Sequence, residues 1–403
     1  VSLNSSPHGL RVLSLYEGFF SGGARQLHST VVAGLHAGGR QRHAALSIHS
    51  EVRREATLQR MADDQRFRLL RSAGVHVSSL GRSTDDGLDP RTFSPRELHH
   101  AALEVRAAHV VMSLKEQPLR LTNALDVDRP VVACLHRSDP EHQGTALDDL
   151  LLAAGEGRLA AVVCCAESTR DAYAAAGVPR SLLRVVPNGI NLARFRPVSD
   201  ARRRALRGGF GLPVDAHVVV FAARFDTMKN PGLFVAAARQ YLERDPAGHV
   251  VMCGAGMSDA NPDLVVELGL AFGDRPDLLA RVHALGVRPD MELVYATADV
   301  VALTSVFGEA APLCLIEGAM CGAIPVTTPV GDSARIVEGI GFVTGFDAAE
   351  IAATWIEATA RRGELAGALT AARPRFSHVR MLTGYATVLE TVHRGAGAQL
   401  APV

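Results

Sequence analysis

At 403 residues, 47% hydrophobic and 21% charged, the chain exceeds one ordinary core and suits two domains of roughly 150–200 residues each. Its 42 basic and 42 acidic side chains cancel, so no general field exists to hold nucleic acid or an anionic membrane, and any phosphate must be bound locally. No apolar run reaches the roughly 18 residues of a membrane span, and residues 1–11 are polar without a signal-peptide core; a cytoplasmic protein is expected, with no nucleic-acid partner and no transmembrane segment, peripheral membrane contact staying open.

Short apolar runs alternate with amphipathic stretches. In the first half the runs are Arg11–Leu15, Ala44–Ile48, His109–Leu114, Pro130–Leu135 and Ala161–Ala166, with a short strand ending at Val186. In the second they are His217–Ala223, Gly248–Cys253, Arg281–Leu285, Asp299–Thr304, Ala323–Thr327 and Gly341–Val343. Runs of this kind suit strands buried on both faces. Helix-length segments lie between them, among them Ala24–Ala37, Pro95–Ala107, Glu167–Ala176, Pro231–Glu243 and Pro289–Thr297. Repeated strand–helix alternation predicts α/β architecture with parallel sheets and right-handed crossovers. The pattern restarts after the turn Pro187-Asn188-Gly189 and a polar stretch over 191–207. Two Rossmann-like domains are therefore expected, over 1–187 and 188–374, followed by a helical segment in 375–403 whose apolar period runs from Val379 to Val392. In tandem sheets of this class the strand C-termini form the binding crevice, so ligand is expected between the domains.

The six cysteines lie in apolar surroundings without a CxxC pair and read as core residues of a reducing compartment. Lysine occurs only at 115 and 229, which singles out both positions. The segment Ser305 to Glu317 follows a strand and opens a helix, with Pro312 suited to the first helical position. Free N–H groups at such a helix start favour a diphosphate or sugar hydroxyls. Glu309 and Glu317 cannot both lie beside a diphosphate without cations, so their roles divide: Glu309 toward a sugar, Glu317 toward ribose hydroxyls. The cations are Arg224, at the end of strand His217–Ala223, and Lys229 in the polar loop after it, a clamp for a leaving diphosphate. Gly254 opens a Gly-Ala-Gly turn after strand Gly248–Cys253. Gly22-Gly23 precedes helix Ala24–Ala37 and allows close backbone approach; it is not GxGxxG, which disfavours a dinucleotide enzyme. His136 follows strand Pro130–Leu135 and so stands at a crevice, with Asp139 close enough to orient it or an acceptor. Asp126-Val127-Asp128 spells DxD, but it precedes a strand and reads as a solvated loop. Arg202-Arg203-Arg204 reads as a solvated helix face.

Together the Glu309-x7-Glu317 pair, Arg224-x4-Lys229, the Pro187-Asn188-Gly189-Ile190-Asn191…Phe195 linker and Gly22-Gly23 resemble the retaining glycosyltransferases of family four, which have the GT-B fold. The resemblance runs from about Val12 to Arg394. It implies that Glu309 contacts the donor sugar, Glu317 the ribose, and Arg224 and Lys229 the diphosphate. Ala310, Ala311 and Leu313 line the helix start, Gly254 lies near the nucleotide and Val287 holds the base through its backbone. Gly22 and Gly23 face donor phosphate and acceptor, and His136 meets the sugar hydroxyls near the reacting carbon. No cofactor and no essential metal are implied, only a nucleotide-diphosphate sugar, UDP-linked by preference, and a small-molecule or glycan acceptor. The last helix is expected to pack back on the first domain. The chain departs from the family in reading Glu-Ala-Ala-Pro-Leu where Glu-Gly-Phe-Gly-Leu is commoner, in Gly318 where Ala is usual, and in Arg25 where Glu is frequent. Other readings of the same architecture are a sugar-nucleotide epimerase, hydrolase or phosphorylase, or a nucleotide-sugar-binding partner without turnover.

Overall fold

The computed structural model describes residues 9–20, 22–54, 57–125 and 127–399. Most of the polar opening stretch and Asp126 of the Asp-Val-Asp sequence lie outside them. The chain divides into two compact units, Val1–Asn188 with Met381–Val403, and Gly189–Arg380. The second unit thus runs six residues past the expected limit at 374.

The first unit contains, in chain order, β1 (Leu10–Tyr16), α1 (Gly23–Ala37), β2 (Gln41–Arg54), β3 (Thr57–Arg60), α2 (Gln65–Ser72), β4 (His76–Ser83), α3 (Pro95–Ala107), β5 (Val110–Leu114), α4 (Leu119–Ala124), β6 (Val131–Leu135), α5 (Thr145–Gly155), β7 (Leu159–Cys164), α6 (Glu167–Ala175) and β8 (Leu183–Val185). Its sheet runs β3-β2-β1-β5-β6-β7-β8, with β4 also on β2. All described pairs are parallel except the β2–β3 hairpin. That hairpin and β4 escape the apolar-run criterion because β4, His-Val-Ser-Ser-Leu-Gly-Arg-Ser, is half-exposed along most of its length. The central strands β5 and β6 are buried throughout, as two-sided coverage by helices requires.

The second unit continues with α7 (Asp200–Gly209), β9 (His217–Ala222), α8 (Pro231–Arg244), β10 (Gly248–Cys253), α9 (Pro262–Phe272), α10 (Pro276–Leu279), β11 (Val282–Gly286), α11 (Met291–Thr297), β12 (Val300–Leu303), α12 (Leu313–Met320), β13 (Ile324–Thr327), α13 (Ser333–Val337), β14 (Phe342–Val343), α14 (Ala348–Ala360) and α15 (Arg362–Ala372). Its sheet is parallel, in the order β11-β10-β9-β12-β13-β14. Phe221, Phe234, Tyr241 and Trp355 pack on one another in its core. The final helix α16 (His378–Gln399) lies in the first unit from Met381 on. There Leu382 fills the space a side chain at Gly34 would need, and the His393 ring stacks on His109 at 4.8 Å.

One expectation fails in part. In the arginine run Arg202 and Arg204 are exposed as expected, but Arg203 is buried and donates to Asp299 Oδ1 at 2.5 Å and to the Ala298 carbonyl at 2.6 Å. Arg207 binds Asp299 Oδ2 at 2.8 Å, an oxygen that also accepts the Val218 amide. Asp299, just ahead of β12, fastens α7 and β9 together, because a buried carboxylate needs partners for its charge and lone pairs. Gly318, which stands where Ala is usual, has a packing reason. A Cβ there would lie 2.6 Å from Val301 of β12, so α12 needs glycine to lie against the sheet.

Candidate active site

Local sequence sets the Lys229 turn. The Asp226 side chain accepts the Met228 amide at 2.9 Å, and Asn230 adopts a left-handed conformation (φ 49°), accepting the Leu233 amide as the cap of α8. Pro231 follows at a helical position where its missing N–H costs nothing. The turn is sewn to the neighbouring strand end: the Val306 amide donates to the Met228 carbonyl at 3.0 Å, and the Thr304 hydroxyl donates to the Lys229 and Asn230 carbonyls at 3.1 Å.

This stitching brings Lys229 and Glu309 together, eighty residues apart in sequence. The Lys229 ammonium and the Ser305 hydroxyl, the latter at 2.6 Å, both donate to Glu309 Oε1. Glu309 is buried, so one carboxylate oxygen is fixed by two donors. Arg224 lies at the end of the same strand β9, exposed, with its guanidinium 3.0 Å from Asp226. Gly254 adopts φ 135°, and a Cβ there would collide with the Ala223 carbonyl beside Arg224. Amides from Ala223, Gly254 and Phe225 lace the ends of β9, β10 and β11 together.

Pro312 is one residue earlier than expected. It occupies the cap, and the helix starts at Leu313. The proline therefore removes no N–H from the first turn, whose Leu313 amide remains a donor, and no side chain caps it. Ala310 is buried and Ala311 partly so. Glu317, one turn into α12, is hydrogen-bonded by Tyr295, and burial pushes its carboxyl up to about 7. Val287 follows β11 and is 68% exposed.

Sequence reasoning missed three supporting residues. Ser305 and Tyr295 hold the two glutamates. Gly331 (φ 60°), after β13, abuts the Glu309 carbonyl so closely that any Cβ would strike it, while the next amide, Asp332, donates to the Ala310 carbonyl at 2.8 Å. The only sequence signal was a glycine behind a strand. Gly331→Ala is expected to displace the Glu309 loop, raising donor KM at least tenfold, and to cost about 1–3 kcal/mol from the positive φ. Kinetics with a denaturation curve check this; an unchanged KM would mean the loop does not position Glu309.

In the first unit Gly22 caps α1 and Gly23 is its first residue, with open space around the position a Gly22 Cβ would take. His136 stands just past β6, its Nε2 buried and unpartnered among the described residues. Burial first, and then nearby Lys115, push its pKa down to about 3, so the ring is neutral at physiological pH. Asp139 does not orient it. Asp139 is buried in an ion pair with Arg137, and His142 Nδ1 lies 3.4 Å away. The described pieces thus form two groups, one per unit: Arg224, Lys229, Glu309, Leu313 and Glu317 at one set of strand ends, Gly22, Gly23 and His136 at the other.

Residues 216–361 match the family described as "Glycosyl transferases group 1", and residues 117–194 match "Glycosyltransferase Family 4"; the two together cover more than half of the chain. The D-inositol 3-phosphate glycosyltransferase of Corynebacterium jeikeium is 34% identical over 161 residues, 39% of this chain and 38% of that protein. Its namesake from Xylanimonas cellulosilytica is 32% identical over 250 residues, 59% and 57% of the two chains. The chain thus spans less than two thirds of the length of either relative. Among solved structures, Anabaena Alr3699/HepE in complex with UDP superposes with a TM-score of 0.76 at 21% identity, covering 95% of this chain and 100% of that one. The same protein has also been solved with UDP-glucose, at a TM-score of 0.74. A likeness at that identity establishes the shared GT-B fold class of paired α/β domains. On these grounds the chain belongs to family four of the glycosyltransferases.

Proposed function

We propose that this chain transfers a hexose-type sugar from a UDP-sugar to an acceptor hydroxyl, with retained anomeric configuration and without an essential metal. The carrying observation is the Lys229–Glu309 pair, set by adjacent strand ends beside Arg224 and the uncapped start of α12. The UDP and UDP-glucose in the Anabaena structures support the choice of donor.

The diphosphate lies between Arg224, Lys229 and the α12 amides, which meet the charge that develops on it as the glycosidic bond breaks. Glu309, with Oε1 held by Lys229 and Ser305, turns its other oxygen to the sugar hydroxyls. Neutral His136 exchanges hydrogen bonds with the sugar through its unpartnered Nε2. The acceptor oxygen bonds to the anomeric carbon on the face the phosphate leaves, and the departing phosphate oxygen takes the acceptor's proton. Two cationic side chains supply the role a divalent ion plays elsewhere, hence the metal independence.

Incubation with UDP-glucose and an acceptor panel, followed by NMR of the product, tests this. UDP release with an α-linked product is expected, unchanged by EDTA. A β-linked product, or loss of turnover on chelation, would reject the assignment, and glucose release without acceptor would reveal a hydrolase.

Glu317 adds a pH signature. Ribose hydroxyls donate to a carboxylate, so binding requires the ionised form, and a carboxyl pushed up to about 7 is mostly protonated below that value. UDP-glucose affinity is expected to rise about tenfold from pH ~6 to ~8, measured by calorimetry, and to be flat and weak in Glu317→Gln. A pH-independent wild type would remove Glu317 from the ribose.

A further inference from the structure

The first unit holds a group of charges that the donor chemistry does not use. Its sheet changes direction between β1 and β5: from β1 the chain winds outward to β2, and from β5 it winds the other way to β6. Side chains past the C-termini at such a reversal line the crevice where open α/β sheets take ligands.

Three cations gather there from three adjacent strand ends. Arg25 donates to Glu17 at 2.8 Å and to the Gly18 carbonyl at 2.9 Å, just past β1. Arg137, past β6, is paired with Asp139. Lys115, past β5, is felt electrostatically by both. Arg25 and Arg137 each have a carboxylate, but the Lys115 ammonium has no hydrogen bond or ion pair among the described residues. The neighbouring acid, Glu116, is buried and hydrogen-bonded by Tyr173, and burial pushes its pKa up, toward the neutral form. Burial first, and then Arg25, push the Lys115 pKa down to about 8, with Glu116 and Glu17 acting the other way and Arg137 adding to the fall.

The backbone supports a purpose for this placement. Lys115 adopts φ 67°, one of two described non-glycine residues with positive φ. Its amide is tied to the Cys134 carbonyl at 3.0 Å and its carbonyl to the Ser113 hydroxyl at 2.8 Å. A left-handed lysine costs on the order of 1 kcal/mol, and such strain persists where the surroundings impose it, commonly at ligand sites. The other left-handed residue, Asn230, is explained by its capping role; Lys115 caps nothing.

We propose that Lys115 and Arg137 form an anion-binding site in the first unit that receives a phosphate or carboxylate group carried by the acceptor. This deepens the transferase reading and rests on it. Lys115 supplies an ammonium with no hydrogen-bond partner among the described residues, Arg137 the planar donors held in place by Asp139, and the reacting hydroxyl belongs to the same acceptor molecule.

The chain's two lysines make the test direct. Protein made with lysine 13C-labelled at Cε gives two NMR signals, assigned with Lys115→Arg and Lys229→Arg. Glucose 6-phosphate, glucuronate, glucose and UDP are titrated at matched ionic strength. The Lys115 signal is expected to shift with glucose 6-phosphate or glucuronate, whichever anion the site prefers, and not with glucose. Arg137→Met should raise the midpoint about tenfold. UDP should shift Lys229. A Lys115 signal unmoved by both anions, or moved equally by glucose, overturns the inference. If instead UDP leaves Lys229 unmoved, the donor-site reading fails, whatever Lys115 does.

Discussion

Replacing Lys229 by methionine should lower turnover by about 10²–10³-fold, the effect of removing one preorganised donor aimed at charge that develops in the transition state. The loss has two parts. The leaving diphosphate loses a cation, and Glu309, buried and sharing Oε1 between Lys229 and Ser305, keeps its charge with one donor fewer. An uncompensated buried carboxylate is destabilising, here by about 2 kcal/mol because Ser305 remains. The double substitution Lys229→Met with Glu309→Gln should therefore regain most of the lost stability and none of the activity. Steady-state kinetics and urea denaturation on both variants separate the effects. A single variant that turns over normally would exclude Lys229 from the reaction, and a double variant recovering activity would show that the pair serves only folding.

Acid should destabilise the first unit more than the second. His28 and His43 are buried in the first unit, and neither His28 nitrogen has a partner among the described residues. Burial pushes His43 down to about 3 and His28 well below its ordinary value, while in the unfolded chain both titrate near 6.5. Their stabilising contribution is complete above that pH and is lost as pH falls through it toward the folded values. At pH ~5 this amounts to ~2 kcal/mol for His43, and His28 adds to it with the same sign. Glu317, in the second unit, has the reverse sign. Its folded pKa of about 7 exceeds its unfolded value, so its contribution is full below the ordinary carboxylate range and disappears as pH rises through 7. Between neutral pH and pH ~5, melting of the first unit should move down, while the second should move less, because there Glu317 is opposed by His249 and His283, whose pKa values burial pushes down. His28→Leu keeps the volume apolar and should blunt the acid sensitivity in part, because His43, His49 and His136 keep the same sign. A His28→Leu protein as acid-labile as the parent would place the responsible protons elsewhere.

What the sequence disclosed depended on whether a residue's role is written in its neighbours. Asp-Thr-Met-Lys-Asn-Pro announces a capped turn through its own chemistry, and a glutamate between a strand and a proline-led helix announces a crevice; Lys229 and Glu309 were legible for that reason. The unbroken apolar strands β5, β6, β9, β10 and β12 were legible because burial on both faces leaves little else they could be. Arg203 was not, since three consecutive arginines read the same whether or not an aspartate ninety-six residues away waits for one of them. Asp139 was expected to orient His136 or an acceptor, when the arginine two residues back takes it. Gly331 and Tyr295 act only through chain brought near by the fold. Lys115 was noticed for its rarity, but its left-handed backbone and lack of a hydrogen-bond partner among the described residues exist only in three dimensions.

The clasp of Arg203 and Arg207 on Asp299 bears on where the gene can be cut. If the second half is produced alone, a fragment beginning near Leu212, at the first obvious strand, would discard both guanidiniums and strand a carboxylate that also anchors the first strand. A fragment beginning at Gly189 retains them, and should come out of the cell as the better-behaved of the two preparations.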